Sequence, residues 1–134
     1  MKASDYSRLV ADEIAAVLRE TDDQQVETLL DMVQDADRVF VAGAGRSGFM
    51  MSAFAMRLMH IGLSSFVVGE ATTPAVGIGD LLIAGSGSGR TKMTLAIVQA
   101  ATVRGARTAV ITGHPDSPIA AVSDHVVHIH APVV

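Results

Sequence analysis

A chain of 134 residues with 49% hydrophobic and 18% charged residues is sized for one domain with a real core, which excludes a disordered chain. Ten Lys+Arg against fourteen Asp+Glu, four Phe, one Tyr and no Trp exclude a basic nucleic-acid or lipid-headgroup surface and a base-stacking platform. With no Cys, a disulfide framework, a Cys-ligated zinc site and a thiol nucleophile are excluded; the start MKASDYSRLV has no signal-peptide core and no charge-free stretch reaches the length of a bilayer span, so a cytoplasmic protein is expected.

The first third reads as two helices. Val10, Ile14, Val17 and Leu18 share one helical face. Thr21 and Gln24 have capping-box spacing, ahead of a second apolar stripe of Val26, Leu29, Leu30 and Val33. Residues 1–36 are expected to pack as helices on a core domain of 37–134, covering a sheet or meeting a partner chain. From Arg38 the pattern changes. Strands are predicted over 38–43, 63–69, 80–85, 106–112 and 124–130. Helices are predicted over 47–60, ending before Gly62, and over 91–104, ending before Gly105; a further one starts at the Ser117-Pro118 cap. Strands that are apolar throughout and alternate with helices point to an α/β three-layer sandwich around a five-stranded parallel sheet.

In such a sheet a ligand sits outside the carboxyl ends of the strands, where strand order reverses. Two turns fall there. Gly43-Ala44-Gly45-Arg46-Ser47-Gly48 follows the first strand and opens a helix. Its spacing fits the dinucleotide fingerprint, and Glu70 lies where a ribose-binding acid would stand. A tight turn without a ligand has the same sequence. The second turn, Gly85-Ser86-Gly87-Ser88-Gly89-Arg90-Thr91, gathers three hydroxyls, three glycines and a cation at another helix start. Phosphate needs short hydrogen-bond donors and positive potential, and this loop supplies both without Walker A spacing.

The segments VAGAGRSG (41–48), AFAMRLMHIG (53–62), VGEATTP (68–74) and DLLIAGSGSGRT (80–91) resemble the successive signatures of the 6-phospho-3-hexuloisomerase family within the SIS (sugar isomerase) superfamily. That resemblance implies a flavodoxin-like sheet and conversion of D-arabino-3-hexulose 6-phosphate to fructose 6-phosphate in the ribulose monophosphate pathway. It also implies a homo-oligomer, tetramer or dimer, with no metal and no organic cofactor. Two other readings are a non-catalytic phosphosugar-binding SIS module and a dinucleotide-binding fragment.

Moving a ketone from C3 to C2 requires a proton to leave C2 and return at C3, with a grip on the remote phosphate. Ser86, Ser88 and Thr91 are assigned to the phosphate as hydroxyl donors, within a loop that also contains Gly87, Gly89 and Arg90. Ser47 beside Gly45 adds a further donor, and Arg46 pairs with phosphate or with a carboxylate across a subunit contact. His60 matches the MRLMH motif and is the candidate for proton transfer, a role imidazoles commonly fill; a helix C-terminal histidine facing the macrodipole is its alternative. Glu70 is the second catalytic candidate, with Thr72 and Thr73 as donors to sugar hydroxyls. Arg57 and Met50, Met51, Met56 and Met59 are expected to be structural. His125, His128 and His130 are expected to form strand surface or a subunit contact. Relatives usually continue into a PMGxxFE-like segment and a long helix, whereas this sequence stops at Ala131-Pro132-Val133-Val134. This predicts exposed apolar surface, and either catalysis with His60 alone, weak binding, or a regulatory role.

Overall fold

The computed structural model describes residues 1–132; Val133 and Val134, the end of the expected core domain, lie outside the described residues. The elements in order are α1 (Ala3–Glu20), α2 (Asp23–Asp35), β1 (Val39–Gly43), α3 (Gly45–His60), β2 (Ser65–Val67), β3 (Leu81–Gly85), α4 (Lys92–Val103), β4 (Arg107–Thr112), α5 (Pro118–Val122) and β5 (His125–His128). The five strands are parallel, in the order β2-β1-β3-β4-β5. This is the flavodoxin-like order expected, and strand order reverses between β1 and β3.

Strand periodicity divides the core in two. Val39, Val41, Leu81, Ile83, Ala109 and Val127 face Leu29, Met32 and Val33 of α2 and Met51, Ala55 and Leu58 of α3. Phe40, Ala42, Leu82, Ala84 and Val110 face α4 and α5. Both faces of the sheet are therefore covered, which is why β1 and β3 read as unbroken apolar runs rather than alternating ones.

The N-terminal helices behave differently from one another. α2 buries Leu29, Met32 and Val33 and is clasped to β5 through Gln25: its Oε1 accepts the His128 N–H at 2.8 Å, and its carbonyl lies 2.7 Å from His125 Nε2. α1 buries no residue; Val10, Ile14 and Leu18 of its apolar face are exposed, with only Val17 half-buried. The cap of α2 also differs from expectation. Asp22, not Thr21, accepts a first-turn N–H (from Gln25, 3.0 Å), while Thr21 donates back to the Val17 carbonyl as α1 ends. A carboxylate accepts only and suits the positive end of the helix dipole, so it takes the site from a neighbouring hydroxyl.

Strand β2 has three residues against the seven expected: the Val68 N–H still reaches the Val41 carbonyl of β1, and the chain then turns away at Gly69, φ +97°. The connection 68–80 is tied back at the start of β3. Asp80, 2% exposed, accepts from Arg38 Nε at 2.9 Å, from an Arg38 terminal nitrogen at 2.6 Å and from Gly77 N–H at 2.8 Å. Burial alone would push the Asp80 carboxyl up; the hydrogen bonds from Arg38 and Gly77 and the guanidinium charge outweigh it and hold it below the ordinary carboxylate value.

Candidate functional site

A cleft of about 700 Å³ opens at the carboxyl ends of β1, β3, β4 and β5, on the β1/β3 reversal. One wall is Ala44, Gly45, Arg46 and Ser47 at the start of α3. The second is Ser86, Gly87 and Ser88 after β3. The third is apolar: Met50 and Met51 of α3, Ile111, and Ile129, Ala131 and Pro132 beyond β5.

The first wall exists because two glycines let α3 begin against β1. A Cβ on Gly48 would lie 2.7 Å from the Gly43 carbonyl oxygen, and one on Gly43 would lie 3.0 Å from the Gly48 nitrogen. Gly45, φ +56°, makes the bend itself. Here the G-x-G-x-x-G spacing thus serves close strand–helix packing. Ala44 at the N-cap supplies no side-chain acceptor, so the first-turn N–H groups of α3 are left for a ligand in the cleft they line.

In the second wall each serine accepts one N–H from its own loop: Ser86 Oγ from Gly89 at 3.0 Å, Ser88 Oγ from Arg90 at 3.1 Å. A hydroxyl that accepts still has its proton to donate, so both can serve an anion. Ser86 is 4% exposed, and Thr91 Oγ1 stands 3.4 Å behind it.

Of the residues singled out in the sequence, Gly45, Arg46, Ser47, Ser86, Gly87 and Ser88 meet at the cleft. Gly89, Arg90 and Thr91 belong to the same loop but do not line it. Thr73 uses its hydroxyl on the Val67 carbonyl at 2.6 Å, and Thr72 and Glu70 are exposed in the turn after β2. His60 is exposed at the opposite end of α3, a helix of 16 residues or roughly 22–24 Å, and so lies toward the amino ends of the strands. The apolar third wall was missed, since Ile111 and Ile129 carry no motif and only strand order reveals that β4 and β5 end beside the cleft. Ser117 stands at the expected cap position of α5, yet its hydroxyl caps nothing.

The SIS domain family matches residues 32–133, which span the whole sheet and both loops of the cleft. The chain belongs to the SIS domain family. Its SIS relatives include the 3-hexulose-6-phosphate isomerase of Mycobacterium gastri, 48% identical over 92% of this chain and 62% of the relative. Another is the protein of the same name from Bacillus subtilis, 36% identical over 96% of this chain and 70% of the relative. Among solved SIS structures, a Methanococcus jannaschii protein whose structure infers 3-hexulose-6-phosphate isomerase function superposes with a TM-score of 0.85 at 31% identity, over 97% of this chain and 75% of that one. The chain thus spans roughly two-thirds of these relatives' lengths. In this SIS domain no helix among the described residues is long and apolar enough to cross a membrane, and no group of three or more metal-ligating side chains forms there.

Proposed function

We propose that this SIS domain isomerises D-arabino-3-hexulose 6-phosphate to fructose 6-phosphate in the cytoplasm, as a step of formaldehyde fixation by the ribulose monophosphate pathway. The observation that carries the reading is the cleft itself. Three serine hydroxyls, Ser47, Ser86 and Ser88, and the uncapped start of α3 converge where a parallel sheet reverses its order. Such a set suits a dianionic phosphate at the end of a small polyol. The likeness to the isomerases of Mycobacterium gastri and Bacillus subtilis supplies the substrate class.

In this reading the loop 86–91 and Ser47 hold the phosphate, Arg46 at the mouth adds positive potential, and the sugar extends along the cleft. A base removes the C2 proton to give a 2,3-enediolate, a proton is returned at C3, and the hydroxyl proton passes from the C2 oxygen, which becomes the carbonyl, to the C3 oxygen, which becomes the hydroxyl. His60 and Glu70 are the proposed proton-transfer groups, with Thr72 toward the sugar hydroxyls; the Thr73 hydroxyl, already donated to the Val67 carbonyl, is not free to donate to them. Neither His60 nor Glu70 lines the cleft of its own chain. Their use therefore requires a second copy to present them, in a dimer or tetramer. The exposed apolar stripe of α1 (Val10, Ile14, Leu18) and the exposed Met56 and Met59 of α3 supply surface for that association.

The same distance favours one rival, a phosphosugar-binding module without catalysis. A coupled assay for fructose 6-phosphate separates them. The isomerase reading expects turnover, a loss of about a hundredfold or more in kcat/KM for Ser86→Ala/Ser88→Ala, and a similar loss in kcat for His60→Ala. Thermal stabilisation by fructose 6-phosphate with no turnover would establish the binding module instead. Full turnover in both variants would refute the assigned site.

A further inference from the structure

Ser117 is 1% exposed, and its Oγ is the single buried side-chain oxygen or nitrogen with no hydrogen-bond partner among the described residues. A serine at an N-cap ordinarily accepts a first-turn N–H, and Ser117 does not. Its hydroxyl lies instead against the anion loop. The space a Cβ on Gly89 would need is filled by Ser117 Oγ and Cβ, with Thr112 Oγ1 3.2 Å from the same point. A buried hydroxyl is costly when unpaired, so its retention under a glycine-built loop calls for a physical reason.

The loop is strapped to the segment 112–119 at both glycines flanking Ser88. The Gly87 carbonyl accepts from Gly113 N–H at 3.0 Å and from Thr112 Oγ1 at 3.3 Å; the Gly89 carbonyl accepts from Ile119 N–H at 3.0 Å. On its other side the loop directs the Gly89 N–H to Ser86 Oγ. A phosphate oxygen is a stronger acceptor than a neutral hydroxyl and competes for that N–H. Gly89, at φ +67°, has no side chain to resist rotation. In a trans peptide the N–H and the preceding C=O point in opposite directions. When the Gly89 N–H swings into the cleft, the Ser88 carbonyl swings to the opposite side of the peptide.

We propose that Ser117 is a positioning residue for the anion loop: its buried hydroxyl is kept free to donate to the Ser88 carbonyl once the Ser88–Gly89 peptide turns its N–H to a bound phosphate. This rests on the reading of 86–91 as the phosphate loop. Substrate phosphate then sets the loop through a hydroxyl it never touches.

The test uses the full chain and its Ser117→Ala variant, with inorganic phosphate and fructose 6-phosphate as probes in calorimetry and thermal unfolding. Without added phosphate the variant should melt at the same temperature as the parent or higher, because no hydrogen bond is lost. Its Kd for either probe should rise by about five- to tenfold, the equivalent of one hydrogen bond. The Gly89 amide resonance should move on phosphate addition in the parent and move less in the variant. A lower melting temperature would mark Ser117 as merely structural and overturn the proposal. Phosphate binding by the parent with unchanged affinity in Ser117→Ala would overturn it alone. Failure of the parent to bind either probe would overturn the phosphate-loop reading as well.

Discussion

Replacing Gly48 by alanine sets two effects of opposite sign against each other. Gly48 lies in the first turn and a half of α3, and alanine in a helix is favoured over glycine by about 1 kcal/mol. Propensity alone therefore predicts a stabilised protein. The structure predicts the reverse. The new Cβ would stand 2.7 Å from the Gly43 carbonyl oxygen and 3.1 Å from its carbon, both backbone atoms of β1. Neither is the end of a flexible side chain, so α3 must back away by about 0.7 Å to restore an ordinary contact of 3.4 Å. Overpacking of this kind costs about 1–3 kcal/mol, with rigid partners toward the upper end. The net expectation is destabilisation by about 1–2 kcal/mol, or a Tm lower by about 3–8 °C for a domain of this size. The displaced turn also carries Arg46 and Ser47, so phosphate binding should weaken in parallel. Urea unfolding followed by far-UV circular dichroism reads the first effect as a lower midpoint at unchanged m, and calorimetry with phosphate reads the second. A Gly48→Ala protein as stable as the parent, or more so, would refute the claim that β1 and α3 are in backbone contact here.

Two further outcomes follow from contacts outside the cleft. Asp80→Asn removes a buried carboxylate that accepts three hydrogen bonds and should cost about 2 kcal/mol near neutral pH. Because folding holds the Asp80 carboxyl below its ordinary value, its contribution is fully present above the unfolded pKa and is lost as pH falls through the folded one, so the gap between parent and variant should narrow below about pH 4; a gap constant into acid would contradict it. Gln25→Ala removes the acceptor of the His128 N–H and should destabilise by about 1 kcal/mol, with faster amide exchange at His128 as the local signature; unchanged exchange there would mean that α2 is held by its apolar face alone.

The amino-acid sequence by itself determined the fold class and both loops of the cleft. Unbroken apolar runs alternating with helical periodicity admit few arrangements other than a covered parallel sheet, and the glycines and serines after β1 and β3 are local features that need no distant partner to be recognised. Helix ends and strand lengths were less secure where a neighbour competes, as at Thr21 and Asp22, or where a strand's edge has little to pair with, as at β2. Only the tertiary structure decided which candidates share a site. Strand order brings β4 and β5 to the cleft and gives it the apolar wall of Ile111 and Ile129, whose side chains carry no pattern of their own. The antiparallel return of α3 sends His60 to the far edge of the sheet, although Ser47 at the start of the same helix lines the cleft. The packing of 112–119 beneath Gly89 puts Ser117 under the loop 86–91 from 28 residues further along the chain. Periodicity and turn chemistry act over a few residues and are written in order along the chain; a binding site is made by contacts between segments whose proximity depends on the topology of the sheet.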